Sequence, residues 1–199
     1  MSEKPRRMIG SVAKAISILD CFDDQRPEWN LTQLSKKLGI PKSTLLGTIS
    51  TLEAANYLEK TRNTHNYRLG LRLFELGHVV RSSMAIRQHA IPLMEEIHER
   101  TGAIVYLAIP RDGQVLFLEA VYPGRRLIHY SSAGRRGPMH CTGLGKAMLA
   151  YLPEQTVLEI VEHWGLPRFT EQTLTTVDEL TNDLALTRER GYALDRGEE

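Results

Sequence analysis

The run PKSTLLGTISTLEAA at positions 41–55 gathers hydroxyl side chains behind a single lysine. Wound as an α-helix at about 100° per residue, it puts Leu45, Ile49 and Leu52 on one side. Ser43, Thr44, Gly47, Ser50, Thr51 and Ala54 then fall on the other, with no acid among them. Small and hydroxylic groups let a helix come close to a phosphate-lined groove and hydrogen-bond there, and Lys42 adds a charge for a phosphate. A surface helix that merely happens to be rich in Ser and Thr has the same composition. The surrounding elements must therefore decide.

Other groups could support different chemistry. His129, His140 and Cys141 are zinc-ligand types, but their spacing fits no strong zinc pattern. Adjacent His140 and Cys141 are also not expected to point inward together. Cys141 with His140 as nucleophile and base would need a third, orienting group that the sequence does not display. Arg135 and Arg136, in the Gly-rich stretch AGRRGP, could draw an anion, but a solvated loop is their expected role. GLGKA lacks the strand-turn-helix setting and the remaining glycine of a dinucleotide fingerprint. No cofactor and no metal are expected.

The elements around positions 41–55 sharpen the first possibility. VAKAISILDCF, preceded by Ser11, carries Val12, Ala15, Ile16, Leu19 and Phe22 at the spacing of one buried stripe. After the turn-like DDQRPEWN, Asn30 and Gln33 form a capping-box pattern for the helix LTQLSKKLG, which Gly39 stops. Gly39, Ile40 and Pro41 make a short link to the hydroxyl-rich helix, and Pro41 suits a first turn. This is a helix-turn-helix arrangement. YLEKT and NYRLG, separated by RNTH, then read as a hairpin. Such a hairpin is a wing, with Lys60, Arg62, His65 and Arg68 placed for flanking phosphates. Arg62, near the tip, could instead enter a narrow minor groove.

LRLFELGHVVRSSM follows as a helix that is apolar nearly all round, so a matching helix of a second subunit or the chain's own domains must cover it. The second half mixes elements. MAIRQHAIPLMEEIHER is helical, with Pro92 as a kink or restart. AIVYLAIP and QVLFLEAVY form a hairpin through RDG, and LIHYSS reads as a strand. HCTGLGKAMLAYL, EQTVLEIVEHW and TVDELTNDLALTRER are helices, the last with Thr176 and Glu179 as a capping box. YALD starts a further strand. An α+β sensor-like domain is the expected class.

Composition agrees. The 199 residues are 42% hydrophobic and 25% charged, which suits a globular protein. Residues 1–70 hold 11 Lys and Arg against 7 Asp and Glu, whereas residues 71–199 hold 14 against 17. A basic segment joined to a mildly acidic one fits a nucleic-acid binder attached to something else. No apolar run is long enough for a membrane span. MSEKPRRMIG leads into no signal-like apolar region, and two cysteines, Cys21 and Cys141, form no disulfide framework. A cytoplasmic protein is expected.

Taken together, SVAKAISILDCF, LTQLSKKLGIPKSTL with the following TLE, YRLGLRLFELG, GRRGPMHCTGLGKAMLA and RERGYALD resemble the IclR-type transcriptional regulators over nearly the whole chain. The resemblance implies a winged helix-turn-helix at 1–70, a linker and dimerisation helix at 71–84, and a GAF-like effector-binding domain at 85–199. It also implies dimers or dimer pairs. Such regulators control catabolic operons, often as repressors, in response to small organic acids or sugar-derived metabolites. It carries Gly143, Leu144 and Asp195 over as effector contacts, with His129 beside them. Glycines 143 and 145 would let backbone approach a ligand, and helix-start amides would bind a carboxylate.

Two departures stand out. The family often has arginine where this chain has Gly47, so a bidentate guanine contact is lost there. Readout then falls to Ser43, Thr44, Thr48 and Thr51, to the wing, or to DNA shape. Members also continue past the position matching Asp195, so the effector domain is expected to be incomplete, with 192–195 as an unpaired edge strand. The expected partners are double-stranded operator DNA, palindromic for a two-fold protein, and a carboxylate effector. Two rivals stay open: an enzyme with a fused DNA-binding domain, and a DNA-binding remnant without sensing.

Overall fold

The computed structural model describes residues 9–62, 64–122 and 133–199. The chain forms two compact units, Met1–Ser83 and Met84–Glu199. In the first, α1 (Gly10–Leu19), α2 (Leu31–Leu38) and α3 (Lys42–Ala54) precede the antiparallel strands β1 (Leu58–Lys60) and β2 (Tyr67–Leu69), and α4 (Leu71–Ser83) follows. The helices start and stop for local reasons. Asn30 accepts from the Gln33 amide at 2.9 Å while the Gln33 side chain accepts from the Asn30 amide at 3.0 Å, closing a capping box. Gly39 ends α2 at φ 66°, a left-handed conformation that glycine adopts without steric cost.

Ile18, Leu34, Leu45, Ile49 and Leu58 are fully or almost fully buried in one core with Trp29 and Tyr67. Trp29 also bridges Tyr67, so the hairpin is tied to the turn before α2. α1 departs from the expected stripe. Ile18 and Cys21 are buried, while Val12 and Ile16 are each 53% exposed. A helix with apolar residues on most sides has no unique buried face until its neighbours are fixed. The helix begins at Gly10 behind Ile9, so Ser11 lies inside it. α4 buries nothing: Leu71, Phe74, Val79 and Val80 stand exposed.

The second unit consists of α5 (Ala85–Thr101), β3 (Val105–Arg111), β4 (Gln114–Val121), β5 (Arg136–Gly137), α6 (Gly143–Leu149), α7 (Glu154–Trp164) and α8 (Val177–Arg190). Its sheet has the antiparallel order β3-β4-β5. Asp112 (φ 52°) and Gly113 (φ 73°) turn the β3–β4 hairpin, the two positive φ angles that a tight hairpin turn asks for. Val115, Met139, Leu149, Leu180 and Leu184 form the core. α5 runs unbroken through Pro92.

Two expectations are corrected. AGRRGP is not wholly loop, because Arg136 and Gly137 pair with Leu116 and Val115. Residues 192–195 form no strand. There the Asp195 carboxylate accepts from the amides of Gly197 (3.0 Å) and Glu198 (2.8 Å), and this local side-chain turn competes with extended pairing. The expected strand LIHYSS lies outside the described residues, and so does His129.

Candidate DNA interface and effector pocket

On α3, Leu45, Ile49 and Leu52 are buried, while Lys42, Ser43, Thr44, Gly47, Ser50, Thr51 and Ala54 are exposed. Three apolar residues three or four apart anchor the helix, and the same period turns the hydroxyl-rich side outward. Thr48 is half-buried. The hydroxyls are not equivalent. Thr51 Oγ1 donates to the Gly47 carbonyl at 2.9 Å, and Thr48 Oγ1 to the Thr44 carbonyl at 3.4 Å. In these rotamers both keep acceptor capacity but have spent their proton. Among the described residues the Ser43 and Thr44 hydroxyls hold no partner.

The wing presents Lys60 and Arg62, both exposed. Arg68 is different. Its guanidinium donates twice to one Glu59 oxygen, at 2.8 and 3.1 Å, and holds the Glu59 carboxyl below its ordinary pKa. The expectation that Arg68 lies ready for phosphates therefore has to be revised, because much of its charge is met within the hairpin. Gly70 ends the wing where any side chain would run into the Asn56 carbonyl.

In the second unit, Thr142 caps α6, its hydroxyl accepting from the Gly145 amide at 3.0 Å. A cavity of about 350 Å³ opens beside this helix start, lined by Gly143, Leu144 and Asp195 together with Tyr106 and Phe117. Arg135 and Arg136 contribute cationic groups to its wall and Glu199 an acidic one. Three of the four effector contacts read from the sequence thus meet at one cavity, and His129 lies outside the described residues. Gly145 plays another part: it is buried, and a Cβ there would collide with the Met139 backbone. Its lack of a side chain serves packing of the loop on the helix, not approach by a ligand.

Sequence reading missed Lys146. Its ammonium is wholly buried, 2.6 Å from Glu198 Oε1 and 3.2 Å from Asp183 Oδ2. A lysine between small residues in GLGKAML gave only a helical position, and its partners lie 37 and 52 residues away. The pair fixes Glu198, whose amide in turn holds Asp195 at the cavity.

The nucleophile alternative loses its chemistry here. Cys141 is fully buried, and desolvation, with Glu199, Asp195 and Glu198 adding negative charge, pushes its thiol up to about 12. His140 and Cys141 are both buried, contrary to expectation, because the chain bends between them instead of alternating as a strand would. His140 Nε2 donates to the Pro167 carbonyl at 3.0 Å. Among the described residues no three His, Cys, Asp or Glu side chains converge as a metal site. No described helix is long and apolar enough to cross a membrane.

The family model for the bacterial transcriptional regulator IclR C-terminal domain matches residues 78–199, and that for the IclR helix-turn-helix domain matches residues 11–62. The chain belongs to the IclR family. It is a DNA-binding transcriptional regulator and not an enzyme. Among its IclR-family relatives, the HTH-type transcriptional regulator XynR of Escherichia coli K12 is 38% identical over 96% of this chain and 76% of its own length. The transcriptional repressor IclR of the same organism is 26% identical over 94% of this chain and 69% of its own. An IclR homologue from Microbacterium hydrocarbonoxydans, solved in complex with 4-hydroxybenzoate, superposes with a TM-score of 0.75 at 27% identity, covering 94% of this chain and 78% of that one. IclR-family regulators bind operator DNA and small-molecule effectors.

Proposed function

We propose that this regulator represses a catabolic operon and is released from a palindromic operator by a small organic acid or sugar-derived metabolite. The observation that carries this reading is the exposed hydroxyl face of α3, held by three buried leucine and isoleucine side chains beside a basic wing. Lys42, Ser43, Thr44, Thr48 and Thr51 enter the major groove, and Lys60 and Arg62 hold the phosphate backbone. Residues 1–70 bind DNA, 71–84 join two subunits, and 85–199 sense the effector. The uncovered Leu71, Phe74, Val79 and Val80 support a homodimer or a tetramer built from it. A two-fold protein suits a palindromic site.

The effector reading rests on the cavity at Gly143, Leu144 and Asp195. A carboxylate meets the helix-start amides and the Arg135 charge, while a ligand hydroxyl donates to Asp195. His129 completes the set named from the resemblance. An effector acts only by binding the DNA-competent and incompetent forms unequally. The protein works in the cytoplasm, where operators are found.

Selection of bound duplexes from a random pool, followed by gel-shift titration with candidate acids, tests both halves. A two-fold-symmetric site whose affinity falls with one acid is expected. Salt-insensitive binding, or no selected site, would sink the DNA reading. A selected site indifferent to every acid would sink the effector reading alone.

A further inference from the structure

A second cavity, of about 180 Å³, lies apart from α6's helix start and has no role in the reading above. Its lining is mostly apolar, with Met139, Leu149, Ile160 and Val161 from the core and α7 and two aromatic rings, Trp164 and Phe169, while Gln114, Arg136 and His140 add polar groups. Trp164 is 44% exposed and Phe169 53%, so both rings keep an open face beside the core. Polar contacts pin the walls individually. Trp164 Nε1 donates to the Asp112 carbonyl at 3.1 Å, and the indole packs on Gly113, where a Cβ would stand 2.7 Å from Nε1. The buried His140 ring is tethered to Pro167 at 3.0 Å and lies 6.0 Å from Phe169. These contacts hold the indole and the imidazole in place.

We propose that this cavity is a second ligand site that takes an uncharged, single-ring hydroxyaromatic molecule. Size sets the ring count, since an apolar cavity of roughly 150 Å³ holds one benzene. The charge follows from Arg136, the cation in the lining, whose guanidinium is already engaged by Asp112 at 2.9 Å and by the Gln114 side chain and Arg111 carbonyl at 3.4 Å each. The hydroxyl follows from His140. The Pro167 carbonyl can only accept, so Nε2 carries the proton and a neutral ring keeps Nδ1 as an acceptor. Arg136 also lines the larger cavity, so the two sites share one side chain. This proposal does not depend on the effector reading of that larger cavity.

The chain has two tryptophans, so a proton–nitrogen spectrum of the full chain shows two indole signals, and Trp164→Phe identifies which belongs to Trp164. Phenol is the probe, with fluorobenzene and benzoate as comparisons. Phenol should move the Trp164 signal saturably and leave Trp29 in place. Fluorobenzene, lacking the hydroxyl, should bind at least several-fold more weakly, and benzoate should leave the signal unmoved. Val161→Phe, which fills the cavity, should abolish the phenol response; if that variant fails to fold, the wild-type titrations decide alone. Absent or unsaturable shifts at Trp164, or equal binding of phenol and fluorobenzene, would overturn the proposal.

Discussion

Lys146 Nζ sits 2.6 Å from Glu198 Oε1 with neither side chain appreciably exposed, and Asp183 Oδ2 completes the contact at 3.2 Å. A charge taken so fully from water is tolerated only because its partners are in place. The contact joins α6, which begins at the larger cavity, to the segment that carries Asp195.

Breaking that pair from one side should therefore cost more than replacing it. Lys146→Met leaves Glu198 buried and unpaired, which is worth about 3–5 kcal/mol of destabilisation. Lys146→Met with Glu198→Gln should recover part of the loss. Denaturant unfolding of the single and double variants measures both. Equal stability of wild type and Lys146→Met would mean that the charge is not buried in solution.

Gly145→Ala tests the packing role of that glycine. The added methyl meets the Met139 backbone, which cannot move aside as a flexible side chain would. We expect a loss of about 1–3 kcal/mol, the usual cost of overpacking. Gly47→Ala, with open space around it inside α3, should instead stabilise by about 0.5–1 kcal/mol through alanine's higher helix propensity, and thermal melts of the two variants separate packing from propensity.

On the DNA side, Lys42→Ala should weaken binding across all sequences and reduce the salt slope by about 1. Thr44→Val should relax sequence preference more than Thr51→Val. The Thr44 hydroxyl is uncommitted among the described residues, whereas Thr51 already donates to Gly47. Fluorescence anisotropy against a selected site and its single-base variants distinguishes the effects. A larger loss from Thr51→Val would show that its hydroxyl turns outward on DNA.

Burial makes Cys141 inert. With its thiol at about 12, roughly one molecule in ten thousand is thiolate at pH 8. A thiol reagent should label it only as fast as the second unit opens, and denaturant should remove the delay. The linkage sign follows from the raised value: the stabilisation is complete below the unfolded thiol's pKa of 9.0 and is lost as pH rises toward about 12. Rapid labelling of the native protein at pH 8 would contradict the burial.

Much of the local structure of both units is written in short stretches. The Asn30–Gln33 capping box, the stop at Gly39 and the Asp112–Gly113 turn each depend on residues within a few positions of one another. For that reason sequence alone placed the helix-turn-helix, the wing and the β3–β4 hairpin. It also settled which side of α3 faces out, because Leu45, Ile49 and Leu52 repeat at the helical period with polar groups between them. α1 offered no such contrast, and only its neighbours chose Ile18 and Cys21 over Val12 and Ile16. Residues 192–195 looked extended, yet a strand needs an edge to pair with, and Asp195 turned the backbone instead. The buried Lys146 was likewise invisible, since its carboxylate partners are distant in the chain. Periodicity and caps act through neighbouring residues, whereas burial of a charge, the filling of a cavity and the choice among apolar faces are set by groups that only the folded chain brings together.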